Sequence, residues 1–359
     1  MRLPLSVCTC LLAALAPATG APGQTPNEII RDARYLAPKD AIDQQGLVQI
    51  GGIPQWISVR ARHRRSPILL VVHGGPGFTL SPTSFYYLRD LEEYFTVVQW
   101  DQRGAGKTYA ASDPEKIKPT MSVDRLVDDG AELIRYLTKT YGQQRVVLLG
   151  HSFGTVIGTR LALKHPELLY AYVGTGQFVD FVKSESDGYR QTLADAEAAH
   201  NSEAVRQLRS IAPFPDAQHP ERNVQNLGTE RRWLAEYGGY YAAGGVGHNE
   251  AIAKLSPDHD AHDLQVRNEA QGFSDRALWG ELGHVSFLDQ TRFRIPVVII
   301  EGRHDRGTSS ALVAGWFDRI RAPSKRMIWF EDSAHMTFEE EPGKFLVTLV
   351  DQVLPLTKR

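Results

Sequence analysis

Val146-Val147-Leu148-Leu149-Gly150-His151-Ser152-Phe153-Gly154-Thr155 is an apolar, β-branched run that stops abruptly in a glycine-flanked serine. The run predicts a buried strand, and the pattern through Ile157, Leu161 and Leu163 predicts a helix directly after it. Gly-x-Ser-x-Gly between a strand and a helix is a nucleophile elbow, a sharp turn that lifts a serine hydroxyl above the sheet edge. A side chain at Gly150 or Gly154 would crowd the neighbouring strand or helix in so tight a turn. The Phe153 N–H would sit at a helix N-terminus, where it can point at a developing oxyanion.

Outward from this turn, strand and helix patterns alternate. Gly46–Ile50 and Gln55–Arg60 around Gly51-Gly52 predict a β-hairpin. Pro67–Val72 predicts a buried strand ending in His73-Gly74-Gly75-Pro76-Gly77. Phe95–Trp100 predicts another, ending in Asp101-Gln102-Arg103-Gly104-Ala105-Gly106. Val123, Leu126, Val127, Leu133, Ile134 and Leu137 keep helical spacing over residues 122–140. Strand character returns at Ile295–Ile300 and Lys325–Phe330, with a helix near Gly343 to Leu354. The alternation predicts an α/β protein with a doubly wound, mostly parallel sheet.

The expected organisation is a signal peptide at residues 1–20, a polar, irregular lead-in at 21–45, and a first core segment at 46–177. A helical cap over the carboxyl edge of the sheet follows at 178–290, where charged and aromatic residues replace buried strands, and the core resumes at 291–359. Met1-Arg2, the apolar run Leu3 to Ala16 and the small residues Ala16–Ala21 read as a secretory signal, cut after Ala18 or Gly20 and too short to span a membrane. Both cysteines, Cys8 and Cys10, fall inside it, so the mature chain is expected to lack disulfides and thiol chemistry. No Asn-x-Ser/Thr sequon occurs, which favours a bacterial envelope. The expected location is therefore secreted or periplasmic, with no membrane contact after signal cleavage.

A chain of 359 residues with 42% hydrophobic and 23% charged residues can bury a sizeable core, and its formal charge of −2 without a basic block argues against nucleic acid. Gly104-Ala105-Gly106-Lys107-Thr108 imitates the end of a phosphate-binding loop. Asp101 stands where that motif needs glycine, and no nucleotide-binding context follows. No His-Glu-x-x-His or clustered Cys/His spacing suggests a metal, and no cofactor is implied.

Serine is a weak nucleophile without a base and a group to orient that base. Behind an elbow of this kind the order is serine, acid, histidine, each on a loop after a strand. Asp305 follows Ile295–Ile300 in Glu301-Gly302-Arg303-His304-Asp305, and His335 follows the last strand in Glu331-Asp332-Ser333-Ala334-His335. Ser152, Asp305 and His335 are the expected catalytic triad, with Glu301 and Asp332 as competing carboxylates. His151 and His304 are expected to be supporting or exposed groups. The glycines after the early strand let a bare N–H approach a substrate carbonyl, so Gly75, with Gly74 in reserve, joins Phe153 as the expected oxyanion hole.

The histidine-glycine run at 73–77, the Asp-Gln-Arg-Gly segment at 101–106 and the elbow at 150–154 together resemble the proline iminopeptidase family of α/β-hydrolase serine peptidases. The match covers roughly residues 45–175 and 290–355. The resemblance implies the α/β-hydrolase fold, the same triad and oxyanion hole, a shaping role for Asp101–Gly106, and recognition of a free N-terminal amine by acidic residues of the cap. The chain departs from the family at Phe153, commonly tryptophan, and at Thr155, commonly glycine. Glu230 and Glu236 are among many cap carboxylates, and the residues that bind substrate stay unassigned. The expected activity is a secreted serine aminopeptidase acting on short peptides. The alternative is a carboxylesterase or lactonase with the same triad. A non-enzymatic receptor would have no need of the complete serine, acid, base and glycine set, and an epoxide hydrolase or dehalogenase of this fold would be expected to carry aspartate at position 152. The expected partner is a small peptide or ester substrate.

Overall fold

A computed structural model describes residues 24–216 and 218–358. The expected signal peptide, with Cys8 and Cys10, lies outside them. Among the described residues no helix is long and apolar enough to cross a membrane.

Eight strands form one sheet: β1 (Ile42–Ile50), β2 (Ile53–Ala61), β3 (Ile68–Val72), β4 (Thr96–Trp100), β5 (Val146–His151), β6 (Leu169–Thr175), β7 (Val297–Gly302) and β8 (Lys325–Phe330). Their spatial order is β1-β2-β4-β3-β5-β6-β7-β8. The β1–β2 and β2–β4 pairs are antiparallel, and the remaining pairs are parallel. The order reverses around β3 and β5, so the loops after these two strands open at a topological switch point, where open α/β sheets bind ligands.

The central strand β3 is apolar throughout because both faces are covered, whereas the edge strand β8 starts with exposed Lys325 and Arg326. Successive side chains point to opposite faces. Leu70, Val72 and Leu148 enter one core layer, with the helices Val123–Tyr141, Phe153–Lys164 and Ser310–Arg319. Leu69, Val71, Val147 and Leu149 enter the other, with Leu91, Phe330, Phe345 and Leu349.

The stretch 24–45 corrects the expected irregular lead-in. It contains a helix, Pro26–Ala33, and the first strand already starts at Ile42. Thr25 caps the helix, Glu28 completes the capping box, and Pro26 opens its first turn. Pro26, Ile29, Ile30 and Ala33 fall at helical spacing, although none of them is buried. Among the described residues, five helices lie between β6 and β7: Phe181–Ala198, Ser202–Ser210, Pro220–Glu236, Asn249–Ala253 and Ala261–Leu282. The first three share a small core of their own, including Tyr189, Leu208, Phe214 and Trp233, whereas the last sends Leu278, Trp279 and Leu282 into a main core layer. Ser274 Oγ donates to the Gly104 carbonyl and Lys107 Nζ to the Asp258 carbonyl, fastening this layer to the loop after β4. Lys107 is thus used as a structural tie.

Candidate active site

Ser152 has φ 54° and ψ −126°, a left-handed conformation that L-residues avoid. Such strain costs on the order of 1–3 kcal/mol and persists only where the surroundings fix it. Here they do. Ser152 N donates to the Thr175 carbonyl of β6, while Thr155 N and Oγ1 both donate to the Ser152 carbonyl. Thr155 Oγ1 also accepts from Phe178 N at 2.8 Å, so the threonine that departs from the family pattern ties the elbow to the chain leaving β6. A β-carbon on Gly154 would lie 2.0 Å from the Val72 carbonyl oxygen, and one on Gly150 would lie 2.8 Å from the Gly154 carbonyl oxygen. Both glycines are required by contact.

His335 Nδ1 and Asp305 Oδ2 are 2.8 Å apart, and both residues are buried. Asp305 Oδ1 accepts from Thr308 N, and Oδ2 also accepts from Thr308 Oγ1. Burial pushes the Asp305 carboxyl up, but His335 and the two Thr308 donors outweigh it and hold the group below the ordinary carboxylate value. Of the competing carboxylates, Asp332 is exposed, whereas Glu301 is fully buried beside Asp305. The imidazole of His335 is packed on several sides. Tyr240 meets it edge-on, the His151 ring centroid lies 4.9 Å away, and a β-carbon on Gly176 would lie 2.7 Å from its Cε1. His151 is buried, and burial together with neighbouring His335 lowers it to about 3, so it stays neutral. His304 is exposed.

The loop after β3 closes over the serine. A β-carbon on Gly74 would meet Ser152 Cβ at 2.7 Å. Gly75 has φ 109°, and both glycines line the same cavity as Ser152 and His335. Phe153 is the first residue of its helix, whose leading N–H groups have no acceptor within the helix. The loop is braced from behind: the His73 ring nitrogen Nε2 accepts from Gln102 N, and Gln102 Nε2 donates to the His73 carbonyl. Burial lowers His73 to about 4, which keeps it neutral in that role. Arg103 pairs with buried Asp129. The Asp-Gln-Arg segment therefore touches the loop and leaves the cavity to others.

The cavity holds about 740 Å³, and its apolar wall includes Phe78, Leu80, Leu227, Trp279 and Met336. Its charged lining comes from the helical layer: Arg231, Glu250, Lys254 and Asp275. Arg231 stands between two buried carboxylates, Glu185 and Glu230. Burial, reinforced by Glu185 and only partly offset by Arg231, pushes Glu230 up to about 7. Glu185 Oε2 and Glu230 Oε1 have no hydrogen-bond partner among the described residues. Asp275 is pushed up to about 6 by burial, with Arg231 and Arg276 pulling the other way. Glu236 is exposed on its helix. Sequence reasoning did not single out Tyr240, Arg231, Asp275 or Thr308. Thr308 alone had a local signal, three residues after Asp305 at the start of a turn into a helix.

The fold coincides with that of known proteins. The chain belongs to the α/β-hydrolase fold family, which matches residues 67–342. It resembles the proline iminopeptidases among them. The probable aminopeptidase YbaC of Bacillus subtilis (strain 168) is 28% identical over 310 residues, covering 84% of this chain and 93% of that protein. A proline iminopeptidase of Saccharolobus solfataricus is 24% identical over 322 residues, covering 87% and 94%. Among solved structures, a proline iminopeptidase-related protein of Thermus thermophilus has the same fold, with a TM-score of 0.63, 20% identity, and coverage of 88% of this chain and 99% of its own.

Proposed function

We propose that this hydrolase is a serine aminopeptidase that releases N-terminal residues from short peptides through an acyl-enzyme on Ser152. The single observation that carries the reading is Asp275, a carboxylate in the cavity that also holds Ser152 and His335, set next to the Glu185–Arg231–Glu230 cluster. Arg231 and Arg276 face three carboxyl groups, Glu185, Glu230 and Asp275, so above about pH 7, where Glu230 too is charged, the region favours a further cation such as a substrate ammonium.

His335 takes the proton of Ser152 Oγ as the oxygen attacks the scissile carbonyl. Asp305 holds Nδ1–H, which fixes the tautomer and stabilises the imidazolium that forms. The Phe153 and Gly75 N–H groups receive the oxyanion, for which their backbone donors need no reorganisation. His335 then protonates the leaving amine, and a water attacks the acyl-enzyme along the reverse route. The mostly apolar wall suits a compact side chain such as proline at the reacting residue. The same wall also favours the second reading, a carboxylesterase or lactonase that uses the triad without an amine subsite.

We also propose export: the apolar run at residues 3–16 followed by small residues supports it. A phosphonylating active-site reagent tests the nucleophile. The reading expects its mass on the peptide containing Ser152, and labelling at another residue would overturn it.

A further inference from the structure

Glu301 is the penultimate residue of β7, four residues before Asp305, and has no exposed surface. Its Oε2 accepts the Gln177 N–H at 3.2 Å, and its Oε1 has no donor among the described residues. The Gln177 side chain is engaged elsewhere. Its Oε1 accepts from Tyr172 OH at 2.6 Å, and its Nε2 donates to the Phe178 carbonyl and to Thr159 Oγ1. No ion pair among the described residues includes Glu301. The titratable groups that face it are Asp305 from the loop after β7 and Tyr172 from β6, with His335 beyond Asp305.

The charge of Asp305 bears on Glu301, whose buried Oε1 has no hydrogen-bond partner among the described residues and is the oxygen placed to carry a proton. Two carboxyl groups can share a hydrogen bond only if one of them carries a proton, and two buried like charges in contact cannot both persist. The proton belongs on Glu301. Asp305 has His335 and two Thr308 donors to stabilise its charge, whereas Glu301 has a single backbone N–H. Burial first, and the Asp305 charge second, raise the Glu301 carboxyl well above the ordinary range.

We propose that Glu301 is a neutral carboxylic acid that donates its O–H to Asp305, a positioning residue that fixes the triad carboxylate and moderates its pull on His335. The inference rests on the triad proposed above. An extra donor draws charge density from Asp305, so the imidazolium of His335 is held less tightly and the base is freed at lower pH.

Three variants of the full chain test this. Glu301→Gln keeps a donor of the same shape. It is expected to leave the acid limb of the kcat/KM profile in place and activity within about threefold. Glu301→Leu removes the donor and is expected to move the acid limb upward by about half a pH unit or more and to lower kcat/KM by about tenfold. A downward shift of that limb in Glu301→Gln would mean that Glu301 carries charge, and would overturn the proposal. An unshifted limb in a folded Glu301→Leu would overturn it as well. Infrared difference spectra at neutral pH give a readout independent of turnover and of whether Glu301→Leu folds. Wild type minus Glu301→Gln is expected to show the carbonyl stretch of a protonated carboxyl, and its absence refutes a neutral Glu301. Ser152→Ala separates the two levels, because full activity in that variant would sink the triad while leaving the infrared result standing.

Discussion

The ring of Tyr240, from the segment between two cap helices, meets the imidazole of His335 edge-on, with centroids 5.5 Å apart and planes at 61°. The inserted helical layer therefore does more than wall off the cavity: it packs against the proposed base. Tyr240→Phe keeps the ring and is expected to retain most activity. Tyr240→Ala is expected to lower kcat by about tenfold, since a loosened imidazole spends less time aligned. Steady-state kinetics of the two variants check this, and equal kcat in both would show that the ring has no part in holding His335.

Asp305 provides a pH signature. Its folded value is depressed, so its contribution to stability is present above the unfolded value near ~4 and is lost as pH falls through the folded value. Thr308→Val removes the hydroxyl donor and brings the folded value back toward the unfolded one. The variant is expected to be less stable than wild type at neutral pH, with the pH-dependent part of the gap closing in acid. Denaturant titrations across pH measure it. A kcat lowered by about tenfold with KM unchanged should accompany the loss.

The proposed amine site at Asp275 responds to pH in the same sense as an ordinary surface carboxylate, but at a higher pH. Because burial lifts it to about 6, it is neutral below that pH and charged above. The KM for a free-amine substrate is expected to rise as pH falls through about 6, whereas an N-acetylated or ester substrate should show no such change in KM. Asp275→Asn should raise KM for the free amine by about tenfold and abolish this dependence. An unchanged KM in the variant would place the amine elsewhere.

Two glycines separate folding from function. A methyl on Gly154 would lie 2.0 Å from the Val72 carbonyl oxygen, a backbone atom that cannot yield, so Gly154→Ala is expected to lower Tm sharply or prevent folding. A methyl on Gly74 instead meets Ser152 Cβ at 2.7 Å. Gly74→Ala is expected to cost activity out of proportion to stability, as comparison of melting curves with reagent labelling of Ser152 would show.

How much of this was legible in the sequence varied with the physics. The strands β3, β4, β5 and β8 announce themselves as apolar or β-branched runs punctuated by glycine or charged loops, and their ends locate Gly74, Ser152 and His335. The contact between Asp305 and His335 follows from the same strand-then-loop logic. The helix Pro26–Ala33 was legible, in the cap Thr25-Pro26 followed by Glu28 and in the spacing of Ile29, Ile30 and Ala33, but it is two turns long and buries no residue, so the polar residues around it mask the signal. Tyr240, Arg231 and Asp275 converge from separate segments of the helical insertion, so no local spacing connects them. Glu230 reads in sequence as one more charge on a solvated helix, and only the fold reveals that it is buried against Arg231.

The most direct test is hydrolysis by the purified protein of prolyl-naphthylamide with a free amine, the same compound N-acetylated, and a short-chain nitrophenyl ester, with Ser152→Ala in parallel. The free amine is expected to be preferred over the acetylated form by about 100-fold or more in kcat/KM, and Ser152→Ala to lose about 10³-fold or more. Turnover of the ester alone, or equal turnover of the free and acetylated amides, would contradict the aminopeptidase. Full activity in Ser152→Ala would contradict the nucleophile itself.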